Sequence, residues 1–330
     1  MVGLPVAMVG AGHSHAPAYL RWLARSPDVE LVGVYDVDPR RAAELAAATG
    51  APLLSSLEGS LARAEAAVVC PEPTRQLALV QAAAEAGVRV LVEKPLGVTP
   101  YQAQSLLALS DEVPISVAFP VRYHPAAMQL RRVARDGELG EVLAVWATNR
   151  NRFPGGWFAD PSLAGGGCLL DHVVHVADLV RWVWATECVS VRAEAGVLHH
   201  PGLFAEDTAV VLAEWTNGIV MSIDPSMSRP DGMPGALDLT LLVWGERAVA
   251  TIDVFADRLD SFDRDGHLRH DLIGYDMDGS MLADWVKSVR EDLPPPVPAS
   301  DGYAAVSLAF AAQEAVARHA AVQVNAGASS

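Results

Sequence analysis

Residues 5–12 read Pro-Val-Ala-Met-Val-Gly-Ala-Gly, and residues 14–25 carry Tyr19, Leu20, Trp22 and Leu23 at helical spacing. A short apolar strand, a glycine turn and a helix are the opening of a dinucleotide-binding unit. Gly10 permits the tight turn, and Gly12 lets backbone N–H groups reach a pyrophosphate at the helix N-terminus. Cofactor contacts are therefore expected at Gly10, Gly12, His13 and Ser14. The third glycine of the fingerprint is absent; His15 stands there, with Ala16 beside it.

Working outward, residues 29–35 form a second apolar run that ends at Asp36, 24 residues after Gly12. That spacing is close to the ~20 residues expected for the acid that binds a ribose 2′-hydroxyl. A carboxylate there accepts hydrogen bonds from the diol and repels a 2′-phosphate, so NAD is the expected cofactor. Arg40 and Arg41 leave NADP open. Asp36 could instead cap the helix that starts at Pro39, but Asp38 is better placed for that. Alternation continues: helices at 40–49, 57–64, 75–86 and 100–109, strands at 66–70, 88–92 and 115–119. Such alternation predicts an α/β fold with a doubly wound parallel sheet. Pro71 and Pro73 follow a strand end, where they would shape the loop near the nicotinamide ribose or serve only as turn residues.

The run 88–92 ends abruptly in Glu93-Lys94-Pro95. Ligands bind just outside the carboxyl ends of parallel strands, so Lys94 is expected to move the proton in a nicotinamide-dependent reaction. Glu93 belongs to the same loop.

After residue 120 the pattern changes, which divides the chain into 1–120, a dinucleotide-binding domain, and 121–330, a substrate-binding and oligomerisation domain. β patterns at 142–149, 189–199, 208–215, 219–224, 237–244 and 248–255 predict a mostly antiparallel sheet, with a hairpin signal at Thr216-Asn217-Gly218. Two helices, 280–291 and 300–321, close the chain, and the small polar end from 325 is expected to fray. Within this half, Gly165-Gly166-Gly167 precedes an apolar helix carrying Asp171 and His175. These are four residues apart and share a helix face. Lysine and histidine both transfer protons when burial and neighbours tune them. Asp171 could orient substrate hydroxyls or keep Lys94 charged; taken alone, the pair also reads as a helix cap at Asp171 and a satisfied buried histidine at His175. Arg122, Tyr123, Trp157 and His172 are further expected substrate contacts. His172 and Asp171 point ~100° apart on a helix, and zinc needs three or four convergent ligands, so no metal is expected.

The 330 residues are 51% hydrophobic and 19% charged, which suits buried cores rather than disorder. A formal net charge of −16 argues against nucleic acid or an anionic membrane as partner. Cys70, Cys168 and Cys188 are few and scattered, which fits a reducing cytoplasm. The N-terminus lacks the basic start of a secretory leader, and the apolar segment 173–184 is short and interrupted by Asp178 and Arg181, so neither leader nor membrane span is expected.

Taken together, Gly10-Ala11-Gly12, Asp36, Glu93-Lys94-Pro95, Arg122-Tyr123-His124-Pro125, the run Gly165 to Asp178 and the closing Asp301-Gly302 resemble the Gfo/Idh/MocA oxidoreductases over nearly the whole chain. The resemblance implies a Rossmann domain followed by an α/β domain with a large, mostly antiparallel open sheet, whose exposed face builds homodimers or homotetramers. It implies NAD(P)-dependent oxidation or reduction of a sugar, cyclitol or related polyol. Lys94 would contact the reacting hydroxyl, Asp171 and His175 would bind substrate and transfer the proton, and the Lys94–Pro95 bond could be cis. Departures are His15 at the third fingerprint glycine and Val173 where a glycine is common. Two competing expectations are a nucleotide-binding regulator without turnover, and a lyase or glycosidase that uses NAD transiently.

Overall fold

The computed structural model describes residues 3–233, 235–256, 258–262, 268–272 and 274–324; the expected fraying from 325 lies outside them. The chain forms two compact units: residues 1–120 with 160–165 and 278–306, and residues 121–159 with 166–277 and 307–330. The second half thus returns twice to the first unit.

The first unit opens β1 (Leu4–Val9), α1 (Ala16–Arg25), β2 (Val29–Tyr35), α2 (Pro39–Thr49), α3 (Leu57–Leu61), β3 (Ala66–Val69), α4 (Gln76–Glu85), β4 (Arg89–Val92), α5 (Pro100–Leu109) and β5 (Ile115–Val117). The five strands are parallel, in the order β2-β1-β3-β4-β5. Their apolar runs are buried, as strands covered by helices on both faces must be. The winding reverses between β1 and β3, so the crevice that takes ligands opens where Gly10 and Cys70 leave those strands. Asp38 caps α2 by accepting the Arg40 N–H, and Gly50 stops that helix at φ 74°. The cap role therefore does not fall to Asp36.

Beyond Pro120 come α6 (Pro125–Arg135), β6 (Val142–Asn151), α7 (Pro161–Ala164), α8 (Cys168–Trp184), β7 (Cys188–Gly196), β8 (Thr208–Trp215), β9 (Val220–Asp224), β10 (Leu237–Gly245), β11 (Val249–Asp253), β12 (Arg258–Phe262), β13 (Leu268–Leu272), α9 (Met277–Arg290), α10 (Ala299–Arg318) and β14 (Val322–Gln323). The second unit holds a seven-stranded sheet ordered β11-β10-β6-β9-β8-β7-β14. All neighbours are antiparallel except β6 and β9. The hairpin expected at Thr216-Asn217-Gly218 joins β8 to β9, with Gly218 at φ 86°. The β12–β13 hairpin and β14 carry no clear pattern in the sequence.

Period-two alternation gives this sheet two faces. Val145, Ala147, Val211, Ala213, Met221, Ile223, Leu241 and Val243 are buried; α8 packs against β6 and β8, and α6 against β11. The opposite face exposes Trp146, Leu212, Val220, Trp244 and Val249 by 42–52%. Trp146 and Trp244 meet edge-on, with ring centroids 5.5 Å apart. The stretch Pro161–Trp184 has the length and composition of a membrane span, but 72% of its most apolar window is buried inside the protein, as befits a core helix. In the first unit, the backbone of 297–298 covers the β5 edge, with Val117 N–H donating to Val297 O at 2.8 Å. Gly302 of α10 lies against Leu96 and Val117 beside the Lys94 loop.

Candidate functional site

In the first unit, Gly10, Gly12, His13, Ser14, Asp36, Pro71, Glu93 and Lys94 all lie in loops at the carboxyl ends of the parallel strands. Gly10 N–H donates to Tyr35 O at 2.7 Å and His13 N–H to Cys70 O at 3.1 Å, which ties the glycine turn to its two neighbours. Gly10 has φ 85°, and a Cβ on it would sit 2.7 Å from the Pro71 nitrogen. Asp36 is buried; its Oδ2 accepts the Ala11 N–H at 2.6 Å and its Oδ1 the Asp38 N–H at 2.8 Å. These bonds fix the carboxylate beside the glycine turn, where a ribose diol would reach it. Ser14 is exposed at the start of α1, and His15 rather than a capping side chain precedes that helix.

Glu93 is the electrostatic centre of this cluster. It is 1% exposed, with Oε1 2.9 Å from His15 Nδ1 and 3.7 Å from His13 Nδ1. Its Oε2 accepts the Lys94 backbone N–H at 3.0 Å. Burial would raise this carboxyl, but His13, His15 and Lys94 outweigh that and hold it well below the usual carboxylate range. Conversely, burial would lower His15, yet Glu93 raises it. Tyr19, whose hydroxyl lies 3.4 Å from His15 Nδ1, is driven well above its ordinary value by burial and by Glu93. Gln76 clamps the loop from below, donating to Glu93 O at 2.7 Å and accepting the Gly97 N–H at 3.1 Å. The Lys94–Pro95 bond is cis. Lys94 itself is only 4% exposed.

In the second unit, α8 is placed by its N-terminus. A Cβ on Gly167 would lie 2.1 Å from Glu206 O, so only glycine allows that approach. Glu206 then accepts the Cys168 N–H on its carbonyl at 2.9 Å and the Leu169 N–H on Oε1 at 3.1 Å, capping the helix. From 167 to 180, Asp171 and His175 alone escape full burial. His172 is buried; its Nδ1 donates to Pro225 O at 2.5 Å, its Nε2 is 3.2 Å from Asp171 Oδ2, and Asn149 Nδ2 donates to its carbonyl at 3.0 Å. His172 thus fixes Asp171 from behind. Arg122 is buried and forks onto Asp178, its Nε 2.8 Å from Oδ2 and its Nη2 on Oδ1. Tyr123 is half-buried in a short 3-10 turn, and Trp157 stacks on Phe158 with ring centroids 3.7 Å apart.

Sequence reasoning missed Glu72, Gln76 and Glu206, and it named Arg41 and His15 without their carboxylate partners. Arg41 Nη1 lies 2.6 Å from Glu72 Oε1 and 3.7 Å from Asp36 Oδ2. His13, His15 and Glu93 present ligand atoms within 4.8 Å of one another, although His15 and Glu93 already pair.

Residues 4–119 match the model of an oxidoreductase family with an NAD-binding Rossmann fold, and residues 127–251 match the GFO/IDH/MocA C-terminal domain. An inositol 2-dehydrogenase of Acidothermus cellulolyticus is 30% identical over 96% of this chain and 94% of its own length. The chain belongs to the Gfo/Idh/MocA oxidoreductase family. It is accordingly an NAD-dependent oxidoreductase. Another member, inositol 2-dehydrogenase of Corynebacterium glutamicum, is 30% identical over 68% of this chain and 67% of its own. Among solved structures, GenD2 from gentamicin A biosynthesis, in complex with NAD, superposes with a TM-score of 0.89 at 26% identity, covering 98% of this chain and 97% of that one. Myo-inositol 2-dehydrogenase from Lactobacillus plantarum shares the fold, with a TM-score of 0.86 at 18% identity over 98% and 100% of the two chains.

The Glu93 cluster makes a pH prediction. The depressed Glu93 contributes stability fully above its unfolded value of 4.5, lost as pH falls through its folded value. The raised His15 contributes stability fully below 6.5, lost as pH rises through its folded value. Urea titration of wild type and Glu93→Gln across pH should therefore show the largest stability difference between pH 4.5 and 6.5, shrinking on either side.

Proposed function

We propose that this enzyme oxidises a secondary hydroxyl of a cyclitol or sugar-like ring and passes the hydride to NAD. The observation that carries the proposal is the α8 pattern, in which Asp171 and His175 are the only residues from 167 to 180 that stay partly accessible, on an otherwise buried wall. The inositol 2-dehydrogenase relatives support a polyhydroxylated ring as substrate.

Each residue has a role in this reading. Gly10, Gly12, His13, Ser14 and Pro71 line the dinucleotide, and the Asp36 carboxylate takes the ribose hydroxyls. Glu93 and Pro95 set the loop that presents Lys94. The bound nicotinamide supplies the hydride acceptor. Asp171, braced by His172, accepts hydrogen bonds from neighbouring ring hydroxyls. The carbinol proton leaves to Lys94 Nζ or to the His175 imidazole as the C–H bond breaks. Arg122 and His172 act by holding α8 and Asp171, while Tyr123 and Trp157 offer aromatic surface to the ring. Residues 1–120 serve cofactor binding and 121–330 substrate binding and assembly. The setting is cytoplasmic, consistent with three buried free thiols. Two copies or four associate through the exposed sheet face bearing Trp146 and Trp244.

A panel of inositols and pyranoses followed by NADH absorbance tests the activity. Lys94→Ala and His175→Ala should each lower kcat about 10²–10⁴-fold on the true substrate, while the NAD Kd changes far less. Unchanged turnover in Lys94→Ala would refute the mechanism, and the variant whose kcat loses its pH dependence marks the proton relay. For assembly, light scattering should give a multiple of the 34.9 kDa protomer, and Trp146→Glu with Trp244→Glu should give the protomer mass.

A further inference from the structure

Glu72 sits in the Pro71-Glu72-Pro73 turn after β3, 1% exposed. Its carboxylate faces the glycine turn: a Cβ on Gly12 would lie 2.4 Å from Glu72 Cδ and 2.5 Å from Oε2. The same Cβ would lie 2.4 Å from Arg41 Nη1, so the Arg41–Glu72 pair is stacked directly over Gly12. Among the described residues, no donor reaches Glu72 Oε2 in hydrogen-bond geometry; Arg75 Nη1 stands off at 3.8 Å. A nearly fully buried carboxylate with an unsatisfied oxygen thus stands where the family fold brings phosphates.

Arg41 Nη1 lies 3.7 Å from Asp36 Oδ2; the side chain is 31% exposed, while Nη1 itself is buried and makes no hydrogen bond of good geometry. Left to itself, an arginine beside that acid is the group that accommodates a 2′-phosphate. Here it is drawn to Glu72 at 2.6 Å, with Asp36 as second counter-ion at 3.7 Å. Two buried carboxylates share this guanidinium, and the next cation, Arg75, stands 3.8 Å from Glu72. We propose that Glu72 is a specificity-determining residue: by claiming Arg41 over Gly12 it denies that cation to a 2′-phosphate and makes the enzyme discriminate for NAD beyond what Asp36 alone achieves. The inference rests on Gly12 forming the phosphate cradle.

Removing the Glu72 charge leaves a neutral side chain of nearly the same shape and frees Arg41. Both cofactors lose a repulsive neighbour for their pyrophosphate, but only NADP gains a partner for its extra phosphate. Isothermal titration of NAD and NADP against wild type, Glu72→Gln, Glu72→Gln with Arg41→Ala, and Gly12→Val tests this. In Glu72→Gln the NADP Kd should fall about tenfold or more relative to the NAD Kd, the scale of one charge-assisted hydrogen bond. Adding Arg41→Ala should cancel that gain. An unchanged NADP/NAD ratio, or weaker binding of both cofactors by Glu72→Gln, would overturn the proposal; weaker binding would mean that Glu72 accepts a cofactor hydroxyl instead. Gly12→Val reports on the cradle separately: it should weaken both cofactors, and if it weakens neither, the cradle assignment itself is wrong. Melting temperature monitors folding of every variant, and a merely structural role for Glu72 would move that temperature without moving the cofactor ratio.

Discussion

A buried carboxylate sets the chemistry of the first unit. Glu93 at the end of β4 would be costly alone in the interior, because an unpaired buried charge loses its hydration with little return. It is kept ionised by His13, His15 and Lys94, and its second oxygen is filled by the Lys94 N–H. Three segments thereby meet at one group: the glycine turn, the start of α1 and the Lys94 loop. The histidine that replaces the third fingerprint glycine is therefore a partner for Glu93. It exchanges helix–strand closeness for a charge contact.

The second unit solves a similar problem with a backbone contact. Gly167 lets the Glu206 carbonyl reach the first turn of α8, and the Glu206 side chain caps the next N–H. Burial raises the Glu206 carboxyl despite those bonds. With its N-terminus pinned, α8 buries nearly every residue from 167 to 180 and leaves Asp171 and His175 as its polar stripe. His172, anchored on Pro225 O, sets the position of the Asp171 carboxylate.

Much of this was legible in the sequence where the signal is local. Parallel strands covered on both faces read as continuous apolar runs, and Gly10, Gly50, Gly87 and the prolines punctuate them. Asp36 and Asp38 could be told apart because a cap belongs immediately before Pro39. What stayed hidden depends on distant partners. Arg122 reads as a ligand contact, but its carboxylate partner Asp178 comes 56 residues later. Glu72 reads as a turn residue between prolines until Arg41 is brought to it. The parallel pairing of β6 with β9 and the two-residue β14 follow from sheet assembly rather than from any local pattern.

The central claim is a net hydride transfer from a ring carbinol to NAD, with the proton taken by residues of this chain. The most direct measurement uses inositols and pyranoses deuterated at their carbinol carbons, with proton NMR of the recovered cofactor. The account predicts NADH carrying deuterium on one face of nicotinamide C4, in equal amount to the ketone formed. Product formed while the cofactor is recovered as unlabelled NAD would contradict it, because the hydride would then have returned to the substrate within the turnover.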